Sequence, residues 1–235
     1  MSSSSASTPF RASRRALRDE VYDALLEMLV DGHLGAGEAL GIDPLSVQLG
    51  VSPTPVREAL VQLESTGLVT RTALRGYKVA PPMSREAMEQ LFDARVLLEE
   101  GAARRAVAHR ESLVPQLRRV LEEQRDHGAA LVDAPEGDAS VKDLSDYLAD
   151  DRAFHDAIFQ ATGNRFFIEM ARHISVHGQR LRQFVEHHHV DAELAVAEHE
   201  RILRAMEAGD ADEVAETMRV HILAVRERTL SDAES

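Results

Sequence analysis

Gly50-Val51-Ser52-Pro53-Thr54-Pro55-Val56-Arg57-Glu58-Ala59-Leu60 decides the reading of this chain, together with Leu63, Gly67-Leu68-Val69 and Arg75-Gly76-Tyr77-Lys78-Val79 behind it. Val56, Ala59, Leu60 and Leu63 recur in steps of three and four, the stripe of an amphipathic helix. Ser52 stands where an N-cap belongs. Pro53 and Pro55 fall in the first turn, where a missing N–H costs no intrahelical bond. Thr54, Arg57 and Val61 lie together on another face. That face is free to enter a major groove, where Arg57 meets either a base edge or a phosphate. Beyond Gly67, residues 68–72 and 77–80 read as two short strands. Arg75-Gly76 sits at the tip between them, with Arg75 and Lys78 supplying positive charge.

The pattern extends upstream. Leu17, Val21, Ala24, Leu25, Met28 and Leu29 mark one amphipathic helix, ended by Gly32, Gly35 and Gly37. Residues 44–49 form a second, short helix with Leu45 and Leu49 one turn apart, and Gly50 permits the tight turn into the third. Three helices and a basic-tipped hairpin over residues 14–80 outline a winged helix-turn-helix, which reads double-stranded DNA.

The charge of −13 sits oddly with DNA until its distribution is seen. Residues 1–80 carry 8 Lys/Arg and 9 Asp/Glu, about −1, and residues 81–235 carry 19 and 31, about −12. The acidic excess belongs to the second part, as an ordinary solvated helical surface. DNA contact must then come from a local surface in the first. No cysteine is present, so disulfides and thiolate metal sites are excluded. No apolar run approaches the ~18 residues that a membrane span requires. Residues 1–13 are Ser-rich with a few Arg and no apolar segment after them, which reads as a disordered tail on a cytoplasmic protein.

Pro81-Pro82 breaks the second strand and opens a linker over residues 81–84. Ser84 then caps a long helix. The rest, residues 85–231, reads as six or so helices in an antiparallel all-α bundle, interrupted by a loop at 133–140. The fold class is therefore mainly α. Polar residues sit inside the apolar stripes of these helices. Asp151 and His155 lie one turn apart in the stripe Leu144, Tyr147, Leu148, Ile158. His199 is central among Ala195, Val196, Ile202 and Leu203, and His221 among Val214, Met218 and Val225. A buried carboxylate without a partner costs several kcal/mol, so something should satisfy Asp151.

The last two helices turn at Gly209. His199 and His221 each lie about eleven residues from that turn, hence ~16 Å from the tip of the hairpin and level with one another. Asp151 and His155 can meet them from a third helix. One Asp and three His suit a site for Zn, Ni, Mn or Fe. Taken singly, each histidine is equally an ordinary satisfied core residue, and Asp151 and His155 can bond one another. Arg95 shares an inward face with Met88, Leu91 and Leu98; it either pairs with Glu99 at i,i+4 or points into a cavity towards an anionic ligand. His187-His188-His189 reads as a solvated helix end or loop, since consecutive helical residues diverge. His173 and His177 are assigned no ligation.

The stretch from Gly50 to Leu60, with Gly67-Leu68-Val69 and Arg75-Gly76, resembles the DNA-binding signature of the GntR family of bacterial transcription regulators. The resemblance implies DNA contacts from Ser52, Thr54, Arg57 and Gly76, beside the charge of Arg75. Two departures stand out: Pro53 and Asp43 occupy places where the family often carries Arg. The operator of the family's fatty-acid regulators is therefore not carried over. Asp151-Arg152-Ala153-Phe154-His155, Glu198-His199-Glu200-Arg201-Ile202-Leu203, Ala208-Gly209-Asp210-Ala211 and Met218-Arg219-Val220-His221 resemble the effector domain of the FadR-type branch, the FCD domain. That resemblance implies a divalent metal held by Asp151, His155, His199 and His221, with zinc the first expectation. The segment from Phe92 to Glu99 resembles the family's R-x-x-L-E stretch, which places Arg95 in the effector cavity.

The expectation is a homodimeric regulator, a repressor, bound to a near-palindromic operator and controlled by a small organic acid near the metal. The main alternative is a metal-dependent enzyme in the helical part. It would need a spare general base beside the metal, and none lies on the mapped faces. A regulator with a purely structural metal is a further alternative.

Overall fold

A computed structural model of the chain describes residues 10–30, 33–72, 76–81, 83–133, 141–182 and 188–232. It divides into two compact units, Met1–Pro82 and Met83–Ser235. Among the described residues, no helix is long and apolar enough to cross a membrane.

The first unit runs α1 (Phe10–Val30), β1 (Ala39–Leu40), α2 (Ile42–Leu49), α3 (Pro53–Ser65), β2 (Val69–Thr72) and β3 (Gly76–Val79). Its core joins Val21, Leu25 and Leu29 of α1 to Val56, Ala59, Leu60 and Leu63 of α3. The four α3 residues have no exposed surface, as their spacing requires. α1 starts ahead of Leu17 and takes in residues 10–13, which the sequence assigns to the tail. Gly50 closes α2 in the left-handed region, φ 66°, and its N–H reaches back to the carbonyls of Ser46 and Val47. Ser52 does hold the N-cap place of α3, but its hydroxyl makes no cap hydrogen bond.

The sheet has three strands, in the order β1-β3-β2, all antiparallel. The sequence shows only two of them. β1 is two residues long with one buried side chain, Leu40, which is too short to display a period. Register pairs Thr70 with Lys78 and Arg71 with Tyr77. Tyr77 and Val79 are consequently buried while Lys78 stays half-exposed. Gly76 opens β3 with φ 80°. Arg75 lies outside the described residues.

The second unit is helical: α4 (Arg85–Ala106), a 3-10 turn (Val107–His109), α5 (Arg110–Asp133), α6 (Val141–Ala161), α7 (Arg165–Arg182), α8 (His188–Ala208) and α9 (Ala211–Asp232). Ser84 caps α4 by accepting from the N–H of Ala87 at 3.3 Å. α4 packs on α9, and α5 packs on both α6 and α8. Gly209, φ 77°, makes the turn between α8 and α9. Phe92, Phe154, Ile158, Ile202 and Met206 are fully buried between these helices. Each such side chain stabilises the bundle by ~1.5–3 kcal/mol relative to exposure. Within this apolar interior runs a polar seam: Arg95, Glu99, Gln124, Asp151, His155, Glu198, His199 and His221 are all buried.

Candidate functional site

Three helices deliver the histidines. His155 comes from α6, His199 from α8 and His221 from α9, each in the middle of a buried stripe. One ring nitrogen of each lies within 4.8 Å of the other two. Ring centroids are 4.7 Å apart for His199 and His221, and 5.1 Å for His155 and His199. Nε2 of His155 and Nε2 of His199 approach to 3.3 Å. Phe154 stacks on His199 at 4.1 Å with nearly parallel planes, which fixes that ring's tilt. Asp151 borders the group: its Oδ1 is 3.9 Å from Nε2 of His199 and accepts from Nε2 of Gln124 at 3.5 Å. The tight group itself comprises the three imidazoles.

Every imidazole is held from behind by a side chain of another helix. Nδ1 of His155 lies 2.5 Å from Oε2 of Glu99 on α4. Nδ1 of His199 lies 2.8 Å from Oε1 of Gln124 on α5. Nδ1 of His221 lies 2.8 Å from Oε2 of Glu198 on α8. Behind His199 and His221 the oxygen accepts, which puts the proton on Nδ1 and leaves Nε2 as a lone-pair donor, whereas Nδ1 of His155 meets Glu99 as a close contact without hydrogen-bond geometry. Nε2 of His221 is buried and has no hydrogen-bond partner among the described residues. Orienting partners of this kind are how proteins prepare histidines for a metal.

The charges agree. Burial alone would raise the Glu99 carboxyl, but Arg95 and His155 hold it well below the usual carboxylate range. Burial likewise opposes the charge on Glu198, and hydrogen bonds from His221 and Arg228 overcome it, bringing its pKa to about 2. Burial pushes His221 down, against the pull of Glu198, so the ring stays neutral and able to ligate. Three buried carboxylates, Glu99, Asp151 and Glu198, thus face two guanidinium groups, Arg95 and Arg228. A divalent cation held by the imidazoles would offset that negative excess. The donor set of imidazole and carboxylate fits Zn, Ni, Mn or Fe.

A cavity of about 470 Å³, counting its open mouth, adjoins His155. Arg95, Glu99, Asp151 and His155 form its polar wall, and Leu148 and Phe159 belong to its apolar one. Arg95 pairs with Glu99 as the i,i+4 spacing allows, its Nε donating to Oε1 at 2.7 Å, and it also borders the cavity. Among the described residues, no protein acceptor takes its two Nη groups.

In the first unit Ser52, Thr54, Arg57 and Gly76 are all exposed. Pro55, Val56, Ala59 and Leu60 are buried beneath them, so α3 presents its polar face outward. His173 is exposed, His177 is half-buried, and neither joins the histidine group. His187 lies outside the described residues, as do the side chains of His188 and His189.

Residues missed by sequence reasoning are the partners behind the rings: Gln124, Glu198 and Arg228, with Glu99 read only as a mate for Arg95. A signal existed for two of them. Gln124 continues the buried stripe Leu113, Leu117, Val120, Leu121 of α5. Arg228 continues Val214, Met218, His221, Val225 of α9 in steps of three and four.

Comparison with known proteins matches residues 17–79 to bacterial regulatory proteins of the gntR family and residues 90–224 to the FCD domain. A transcriptional regulator in an unstable DNA locus of Streptomyces ambofaciens is 30% identical over 211 residues, covering 90% of this chain and 84% of its own. The transcriptional repressor GlaR of Escherichia coli K12 is 28% identical over 209 residues, covering 86% of this chain and 90% of its own. Among solved structures, E. coli McbR/YncC aligns with a TM-score of 0.75 at 22% identity, covering 90% of this chain and 97% of the other, which shows a shared fold.

Proposed function

From a chain that belongs to the GntR family of bacterial regulators and carries the FCD domain, we propose a repressor whose grip on DNA is set by a small carboxylate bound beside a divalent metal. The family and the matched relatives are transcription regulators, not enzymes, which removes the enzyme alternative. A relative named as a repressor supports the sign of the response.

The DNA-contacting surface in this reading is the exposed start of α3. Ser52 and Thr54 reach the backbone, Arg57 a base edge or phosphate, and Arg75 and Gly76 the flanking groove. The free Ser52 hydroxyl, unused as a cap, supports this role. Two copies in a homodimer would meet a near-palindromic operator with half-sites about one helical turn apart.

Asp151, His155, His199 and His221 would hold the metal, zinc first among the candidates. When bound, the ion supplies a Lewis-acid point to which a carboxylate oxygen can attach. Arg95 then contributes its Nη donors to the same carboxylate, while Glu99 keeps the guanidinium in place through Nε. The apolar wall shields both from water. A ligand bridging the metal on α6, α8 and α9 to Arg95 on α4 would draw these helices together. Coupling of that kind is typically ~1–3 kcal/mol.

The observation that carries the reading is the convergence of three outward-braced imidazoles next to a cavity holding a buried arginine with uncommitted donors. The test is a thermal-shift screen of zinc-loaded protein with lactate, malate, citrate and other small acids. Hits are then titrated against a duplex selected by the protein from random sequence. A carboxylate that stabilises the zinc-loaded form and weakens duplex binding is expected. A screen without a zinc-dependent hit, or hits that leave duplex affinity unchanged, would defeat the proposal.

A further inference from the structure

The three imidazoles are not braced alike. His199 leans on a neutral amide, Gln124. His155 leans on Glu99, whose other oxygen is taken by Arg95 at the cavity wall. His221 leans on Glu198, and Glu198 is gripped by both arms of Arg228: Nη1 to Oε1 at 2.9 Å and Nη2 to Oε2 at 3.0 Å. Oε2 of Glu198 therefore accepts from Arg228 and from His221 together. Arg228 sits seven residues beyond His221 on α9, two helical turns along the same face.

We propose that Glu198 and Arg228 are positioning residues of the metal centre, setting its affinity by locking His221 with Nε2 turned to the ion. This rests on the metal reading above. The geometry gives each residue one task. Glu198 accepts a hydrogen bond from Nδ1–H and so fixes the tautomer. Arg228 holds the carboxylate planar by a two-point fork, which a single ammonium cannot reproduce. Among the described residues His221 Nε2 has no hydrogen-bond partner, so the orientation enforced on the ring serves something other than a contact with them.

The competing account is a structural tie between α8 and α9. Those helices already meet through Ile202, Met206, Val214 and Met218, all fully buried. A largely buried ion pair taken whole adds little net stability to such an interface, because desolvation offsets most of its attraction, although deleting one partner leaves an uncompensated charge and does destabilise. The two accounts therefore differ in what they make sensitive: ligand orientation or fold stability.

The experiment uses the full chain and Zn²⁺ alone, with affinity read by chelator competition. Co²⁺ substitution gives the ligand-field spectrum, and apo-protein unfolding gives the stability. Variants are Arg228→Leu, Arg228→Lys and Glu198→Gln, with Arg118→Gln as control for an exposed inter-helix pair to Glu207. Arg228→Leu and Glu198→Gln should weaken Zn²⁺ binding about 10–100-fold, and Arg228→Lys by less. The Co²⁺ bands should shift in Glu198→Gln, an effect that a loss of apo stability alone does not produce. Should Arg228→Leu fail to fold, the Lys and Gln variants carry the test alone. Zn²⁺ affinity within twofold of wild type in Glu198→Gln and both Arg228 variants that fold would overturn the proposal. So would an apo-stability loss with unchanged Co²⁺ bands. A wild-type protein that binds neither ion defeats the metal reading itself, a different result from either of these.

Discussion

The two units keep their proposed functional groups in opposite places. In the first, Ser52, Thr54, Arg57 and Gly76 stand on the surface over a core that needs none of them. In the second, Asp151, His155, His199 and His221 lie inside the bundle, each within reach of a polar side chain from another helix. A surface read by a groove can be changed without unfolding the protein. A centre built into the core cannot be separated from the packing around it. In their effect on stability, mutations should therefore act independently across the units and cooperatively within the second.

The largest effect should follow from replacing His199 and His221 together by Ala. Two of three converging imidazoles vanish, Gln124 Oε1 loses its imidazole donor, and Glu198 Oε2 is left with Arg228 alone. Metal content by elemental analysis should drop to that of a buffer blank, and the second unit should unfold at lower temperature. Full metal occupancy in that variant would sink the ligand assignment.

Arg57→Ala tests the other side of the comparison. Loss of a base or phosphate contact of ~1–3 kcal/mol weakens duplex binding roughly 5- to 150-fold. Fluorescence anisotropy at fixed salt checks it. Because Arg57 is exposed, the unfolding midpoint and the zinc content should not move. A midpoint that falls with Arg57→Ala would mean that the residue belongs to the fold after all.

The same contrast explains what was legible in the sequence. The recognition helix is local: spacing, cap position and glycine turn occupy about twenty consecutive residues, and steric rules decode them. The histidines are 66 residues apart from first to last, yet two of them could be levelled by counting from Gly209, and their rings do lie 4.7 Å apart. What escaped were relations between helices that no count along one chain segment supplies. Glu198 precedes His199 by one residue, so helical geometry turns it away from that ring and towards His221 on α9 instead. Gln124 reaches His199 across 75 positions. β1 was invisible because its two residues become a strand only through pairing with Tyr77 and Lys78.

A smaller effect separates the units by backbone rather than side chain. Gly50 and Gly209 both adopt positive φ, 66° and 77°. At Gly50 an added Cβ meets nothing within 4 Å, so Gly50→Ala should cost only the left-handed strain, ~1–2 kcal/mol. At Gly209 the Cβ would come 3.0 Å from Nε of Arg110 and 3.2 Å from its Cζ, so a side chain must move as well. Urea unfolding should rank Gly209→Ala as the more damaging. Equal losses would show that Arg110 yields freely.

The smallest effect is the most discriminating within the second unit. α9 carries two Arg–Glu forks of the same chemistry. Arg228 grips buried Glu198 across helices, and Arg219 grips exposed Glu216 one turn away, at 2.8 Å and 2.6 Å. Water screens the Arg219 pair, and it orients nothing that faces the histidines. Arg219→Gln should leave both the unfolding midpoint and Zn²⁺ affinity where they are, although it removes the same unit charge from the same helix as Arg228→Leu. If Arg219→Gln lowered Zn²⁺ affinity by a similar factor, the general field of α9 would be governing the site, and the fork on Glu198 would hold no special place. If only the Arg228 variants respond, direction matters more than charge, and His221 is a ligand because something behind it aims it.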